Sequence, residues 1–233
     1  METVIITGSN RGLGLALVEA YATGGARVFA FCRQPNDAND LRQLAQQHKD
    51  ITVHTLEVTD DASIISAAAA LSNATDHVDI LINNAGMNNT PGTRGLASLD
   101  RAALNEMINT NATSAVLVTR AFASLLRKGT NPRVVMVSSQ MGSLNYVRQG
   151  QSYGYTMSKA AMNMGARVLA SELGKEGIVT ITTHPGWVRT DMGGESADLT
   201  PEESAQSILT MVAGLSAKDN GAFYKWNGQV HEW

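Results

Sequence analysis

The stretch Thr3-Val4-Ile5-Ile6-Thr7-Gly8-Ser9-Asn10-Arg11-Gly12-Leu13-Gly14 decides how the chain folds. Its first five residues form a β-branched run, which favours a strand, and Gly8 ends it. From Gly12 to Ala22 the apolar residues Leu13, Leu17, Val18 and Tyr21 recur at helical spacing, and Gly24-Gly25 closes that helix. Three glycines therefore stand at a strand-to-helix turn. They let the backbone approach a ligand closely, and the helix behind them offers its N-terminus to phosphate. The spacing is G-x-x-x-G-x-G rather than G-x-G-x-x-G. A glycine pattern alone is weak, so the strand before it and the helix after it carry the reading.

The same alternation continues outward. Strands are expected at Arg27–Phe31, Ile51–Glu57, Val78–Asn83, Arg133–Ser138, Ile178–Thr183 and Ala222–Lys225. Helices are expected at Asp40–His48, Ser63–Leu71, from an Asp100 N-cap to about Arg127, around Tyr155 to near Gly174, and from Pro201 onward. Strands alternating with helices predict a parallel sheet covered on both faces and joined by right-handed crossovers. The fold class is α/β: a single Rossmann-type doubly wound parallel sheet of about seven strands, occupying residues 1–233 as one domain. No repeat, linker or low-complexity tract interrupts it.

Composition narrows the function. Hydrophobic residues make up 43% and charged residues 17%, ordinary for a globular protein. A net charge of −3 gives no broad basic surface for nucleic acid. Cys32 is the one cysteine, which fits a reducing compartment. The five histidines show no ligand spacing, so no metal site is expected. No apolar run reaches membrane-spanning length, and Met1–Thr7 reads as a strand rather than a signal peptide. A cytoplasmic protein that binds neither nucleic acid nor membrane is the expectation.

In a doubly wound sheet, ligands bind beyond the carboxyl ends of the strands. After the second strand comes Cys32-Arg33, where NAD-binding folds commonly place an acid for the ribose 2′-hydroxyl. With Arg11 in the glycine turn, two guanidiniums near one ribose suit a 2′-phosphate, which favours NADP over NAD. Glu57-Val58 follow the third strand, beside the adenine position. Asn83-Asn84-Ala85-Gly86 follow the fourth, and Ser138-Ser139 the fifth. His184-Pro185-Gly186-Trp187-Val188-Arg189-Thr190 follow the sixth.

One helical pair carries chemistry. Tyr155 and Lys159 stand at i and i+4, on one helix face. A free phenol titrates near pH 10, and bringing it to about 7 takes roughly 4 kcal/mol. A positive charge about 4 Å away at an effective dielectric near 20 supplies about that much. Tyr155 would then donate and accept a proton near neutrality. Tyr153 has Met157 four residues on, so only Tyr155 has a lysine partner.

Taken together, Thr7-Gly8-x-x-x-Gly12-x-Gly14, Asn83-Asn84-Ala85-Gly86, Asn111, Ser139, Tyr155-x-x-x-Lys159 and Pro185-Gly186 resemble the motifs of the short-chain dehydrogenase/reductase family, in family order over nearly the whole chain. The turn Asn10–Gly14, the stretch His184–Gly194 and the ending Asn220–Trp233 resemble its carbonyl-reductase-like subgroup, which includes sniffer and C-factor. The resemblance implies hydride transfer between a nicotinamide and a carbonyl carbon. Tyr155 would be the acid/base and Lys159 would lower its pKa and hold the nicotinamide ribose. Ser139 would orient the substrate oxygen, and Asn111 would help hold a water linking Lys159 to solvent. It implies a dinucleotide contacted by Gly8, Ser9, Asn10, Arg11, Gly12, Leu13, Gly14, Arg33, Glu57, Val58, Asn83, Asn84, Ala85, Gly86, Tyr155, Lys159, Pro185, Gly186, Val188 and Thr190. It also implies a homodimer or homotetramer built on the helices from Asp100 and from Ser152.

Two departures from the family pattern bear on the substrate. The stretch from Ser139 to Tyr155 is long, and that after Gly194 is short because Thr200-Pro201 already begins a helix. A rather open cleft is expected, with Ser139, Met141, Tyr146, Tyr155, Trp187 and Met192 around a small carbonyl or alcohol; Trp187 and Met192 equally suit packing roles. The alternative is a dinucleotide-binding signalling or regulatory protein with slow or no turnover. The intact set Asn111, Ser139, Tyr155 and Lys159 favours the enzyme.

Overall fold

The computed structural model describes residues 1–88, 90–146 and 152–233. Seven parallel strands form one sheet in the order β3-β2-β1-β4-β5-β6-β7. They are β1 (Thr3–Thr7), β2 (Arg27–Cys32), β3 (Ile51–Thr55), β4 (Ile80–Asn83), β5 (Arg133–Val137), β6 (Val179–His184) and β7 (Phe223–Lys225). The helices are α1 (Gly12–Thr23), α2 (Asn39–Gln47), α3 (Asp61–Ala74), α4 (Arg101–Ile108), α5 (Ser114–Leu126), α6 (Tyr153–Leu173) and α7 (Pro201–Ala213).

The strands are apolar on both faces because helices cover both. Alternate side chains of β1 show the division. Val4 and Ile6 join a core with Leu17 of α1, Leu41 of α2 and Ile208 of α7. Ile5, between them, joins the opposite core with Leu71 of α3, Phe122 of α5 and Met162 of α6. The strand order reverses between β1 and β4, so the crevice of the fold opens at their carboxyl ends. Gly8 and Asn84, the residues that follow these two strands, stand at that crevice.

The expected elements are present, with bounds shifted by a residue or two, and three differences bear on the site. β3 stops at Thr55, so Glu57 and Val58 lie beyond it. The third helix starts earlier than expected, because the Asp60 carboxylate caps Ala62 N–H. The helix from Asp100 holds its N-cap, with Asp100 accepting from Ala103 N–H, but it is not α-helical throughout. Residues Asn109–Thr113 form a π-helical turn between α4 and α5. Such turns collect at functional sites, and Asn111 lies in this one. Part of the glycine- and glutamine-rich stretch before Tyr155 lies outside the described residues.

Candidate active site

The crevice is stitched together from both sides. Thr7 Oγ1 accepts hydrogen bonds from the backbone N–H groups of Asn84 at 3.1 Å and Ala85 at 3.0 Å. Asn84 Nδ2 reaches back to the carbonyls of Thr7 at 3.0 Å and Gly8 at 3.2 Å. The Asn84 side chain is therefore a tie between β4 and β1. Asn83 points the other way, into the α5 side, where Nδ2 donates to Thr119 Oγ1 at 2.9 Å. The Nδ2 donors of both amides are thus committed to the frame, whereas Asn83 Oδ1 is buried without a hydrogen-bond partner among the described residues.

The glycines make room. At Gly8, φ is +67°, and a Cβ would lie 2.8 Å from Ala85 Cα. At Gly14 a Cβ would lie 2.1 Å from the Gly8 carbonyl oxygen. The turn is thus closed on itself by bare backbone, with α1 starting at Gly12 beside it. Ser9 is fully buried and its hydroxyl donates to the Ile6 carbonyl at 2.7 Å, so that hydroxyl supports the turn. Leu13 likewise faces the core, while Asn10 is exposed.

The two arginines expected at one ribose each have a carboxylate partner in this structure. Arg33 follows β2 and lies 3.9 Å from Glu57, which also accepts from Thr59 N–H and Oγ1. Arg11 is turned toward the loop after β6, where it meets Asp191 at 2.6 Å. Cys32 is buried at the end of β2, with its thiol pKa raised by burial and no acid in its place. Val58 is buried after β3.

On the other flank, α6 begins at a Ser152 cap and presents Tyr155, Ser158 and Lys159 inward. Tyr155 is 8% exposed, whereas Tyr153 is 41% exposed. Ser139, two residues past β5, hydrogen-bonds the Tyr155 phenol and accepts from Met141 N–H at 3.1 Å. Its neighbour Ser138 instead donates to Asn163 Oδ1 of α6 at 2.6 Å, as a strand-end residue fixing the helix to the sheet. Lys159 Nζ donates to the Val137 carbonyl at 2.9 Å and lies 5.7 Å from the Tyr155 ring centroid. No acid among the described residues pairs with it. Burial alone depresses its pKa from 10.5 to about 8.

The expected tuning of Tyr155 takes the opposite direction in this structure. Burial raises the phenol pKa, and the Ser139 hydrogen bond offsets only part of that. The Lys159 ammonium lies 5.7 Å from the ring centroid, and the same burial depresses its own pKa. Tyr155 is accordingly a protonated acid at neutral pH.

Asn111 is fully buried in the π-helical turn. Its Oδ1 accepts from Met87 N–H at 2.7 Å, and Nδ2 donates to the Met87 carbonyl and to Ser158 Oγ, both at 2.9 Å. The side chain is spent on locking the segment after β4 to α6, so it has no donor left for a water. A Cβ on Gly86 would lie 3.1 Å from Asn111 Oδ1 and 3.7 Å from Lys159 Nζ. Gly86, Asn111 and Lys159 therefore meet at one point, between the glycine turn and Tyr155.

The loop after β6 completes the rim. Pro185 is tied to α7 through Ser204 Oγ at 2.6 Å, and Gly186 turns at a φ of +88°. Val188 is buried and pairs with Leu199. Thr190 packs against Gly12, where a Cβ would lie 3.0 Å from its Cγ2. Trp187 and Met192 are both largely exposed, and the indole N–H closes the loop onto the Gly193 carbonyl at 2.8 Å. Met141 is half-buried and Tyr146 exposed on the segment after Ser139.

A cradle that excludes any Cβ thus leads to a buried, acid-free ammonium beside a buried phenol, and these residues fit a dinucleotide with a carbonyl next to it. The family model for short chain dehydrogenase matches residues 2–200. The chain belongs to the short-chain dehydrogenases. C-signal of Myxococcus xanthus is 40% identical over 166 residues, covering 71% of this dehydrogenase and 99% of that protein. An uncharacterised oxidoreductase of Schizosaccharomyces pombe is 32% identical over 98% of this chain and 97% of its own. Among solved structures, NADPH-bound carbonyl reductase from chicken fatty liver matches with a TM-score of 0.93 and 35% identity, covering 100% of this chain and 99% of that one. Carbonyl reductase Sniffer of D. melanogaster matches with a TM-score of 0.95 and 29% identity, covering 100% of both.

Sequence reasoning assigned no role to three contributors to this dehydrogenase's site. Thr7 stands in the quoted glycine motif without its bonds to Asn84 and Ala85 being read, and Ser158 had only its adjacency to Lys159 as a signal. Asp191 lies inside the quoted stretch after β6, but its partner is 180 positions away.

Proposed function

We propose that this short-chain dehydrogenase is an NADPH-dependent reductase of small carbonyl compounds. The observation that carries this reading is the buried cluster of Tyr155, Lys159 and Ser139 facing Gly86 at the head of the glycine cradle. The dinucleotide supplies or accepts the hydride when bound. Gly8, Gly12 and Gly14 admit its pyrophosphate to the start of α1. Lys159 offers its unspent donors to the nicotinamide ribose, and Gly86 leaves the space. The Ser139 hydroxyl orients the carbonyl oxygen toward the Tyr155 hydroxyl, which gives it a proton as negative charge builds there.

Protonation favours reduction. With its pKa raised by burial, Tyr155 carries the proton at neutral pH, and the reverse oxidation gains as pH rises and the phenolate forms.

NADP is favoured over NAD by Arg33 with no acid at the end of β2, and by the NADPH-bound chicken relative. The exposed Trp187, Met192 and Tyr146 agree with an open cleft for a small substrate. Met157, Met164 and Val168 form an exposed apolar strip on α6, which supports a homodimer or homotetramer that light scattering would size. The test of function is a panel of carbonyls and alcohols assayed with NADPH and with NADH. Reduction with a clear NADPH preference is expected; equal use of both cofactors would overturn the assignment of Arg33, and no turnover of any carbonyl would overturn the enzyme reading in favour of a dinucleotide-binding signalling role.

A further inference from the structure

The pairing of Arg11 with Asp191 joins two loops that the sheet holds far apart. Arg11 lies after β1 and Asp191 after β6, and the strand order places β4 and β5 between them. At about 4.8 Å per strand, three steps separate the two strands by roughly 14 Å. The loop after β6 therefore reaches back over the carboxyl ends of β4 and β5, where Ala85, Gly86 and Ser139 stand. A second contact repeats the crossing, because Thr190 packs on Gly12. The loop arrives as a shaped body: Gly193 and Gly194 N–H groups both bond the Thr190 carbonyl, and Arg189 and Leu199 are paired through Arg189 N–H at 2.8 Å.

We propose that Asp191 is a positioning residue which, through Arg11, straps the glycine turn to the loop after β6 and so slows exchange of the dinucleotide. This rests on the dinucleotide reading above. A dinucleotide held by Gly8, Gly14 and Lys159 would lie against the glycine turn that this ion pair ties to the loop after β6. Arg11 also neutralises the Asp191 carboxylate, which would otherwise stand unpaired beside the phosphates. The pair is open to solvent, with side chains 70% and 77% exposed, so it opens readily and acts on exchange rather than on folding.

The test is release of NADPH from the full chain, followed by its fluorescence in a stopped-flow displacement. In Asp191→Asn, release should be roughly two- to five-fold faster at low salt, the range of an exposed ion pair. Asp191→Glu should restore slow release, and the gap between wild type and Asp191→Asn should close near 1 M salt, where charges are screened within about 3 Å. The unfolding midpoint should not move. Unchanged release in Asp191→Asn overturns the strap. Slower release overturns it too, by making Asp191 a competitor of the phosphates for Arg11. A wild type that gives no NADPH signal sinks the dinucleotide reading itself, and the strap with it.

Discussion

Replacing Lys159 with methionine should stabilise the protein at pH 7 while removing its activity. Lys159 is buried without an acid, and burial lowers its pKa from 10.5 to about 8. That difference corresponds to roughly 3 kcal/mol of penalty on holding the ammonium inside. Methionine has similar length and no charge to desolvate. Its cost is the hydrogen bond from Nζ to the Val137 carbonyl, which offsets about 1.5 kcal/mol. A net gain of roughly 1–2 kcal/mol remains, and each kcal/mol should move the midpoint by about 2–4 °C in a chain of this size. The sign depends on pH in a defined window. Because the folded pKa lies below the unfolded one, the penalty is present in full below pH 8 and is relieved as pH rises toward 10.5. Urea unfolding of wild type and variant at pH 7 and pH 10 measures the difference. The variant should lead at pH 7, and the gap should narrow at pH 10. A variant no more stable at pH 7, or a gap that is flat with pH, would refute the reasoning.

Two further substitutions separate structure from chemistry. Ser138→Ala removes the bond to Asn163 and should cost about 1–2 kcal/mol in urea unfolding with little change in kcat per folded enzyme, whereas Ser139→Ala should lose turnover with stability near wild type. Gly86→Ala pushes a methyl to 3.1 Å from Asn111 Oδ1 and toward Lys159 Nζ, so NADPH titration should show binding weakened at least about ten-fold, corresponding to about 1.4 kcal/mol.

The sheet was legible because each strand is a short apolar run closed by glycine or a polar turn, and parallel strands buried on both faces need no finer pattern. The site was legible where one residue type permits one geometry: the glycines at Gly8 and Gly14, and the i, i+4 pair of Tyr155 and Lys159. It was illegible where partners are remote. Nothing near Asn111 announces its hold on Met87, and apolar spacing from Asp100 to Arg127 runs evenly through the π-helical turn that the hold accompanies. Ser9, Asn83 and Asn84 sit in ligand-binding motifs, yet their side chains serve the frame. Sequence gives no sign that Asp191 stands opposite Arg11. Helical spacing likewise places an ammonium near the phenol but does not reveal how deeply the pair is buried, and that burial raises the phenol pKa.

The central claim is that Tyr155 is the proton donor to a carbonyl substrate. The most direct measurement is carbonyl reduction by Tyr155→Phe with NADPH, alongside its NADPH dissociation constant. Turnover should fall roughly 10²–10⁴-fold, with the dissociation constant within a few-fold of wild type. Turnover close to wild type in the phenylalanine variant would contradict the account.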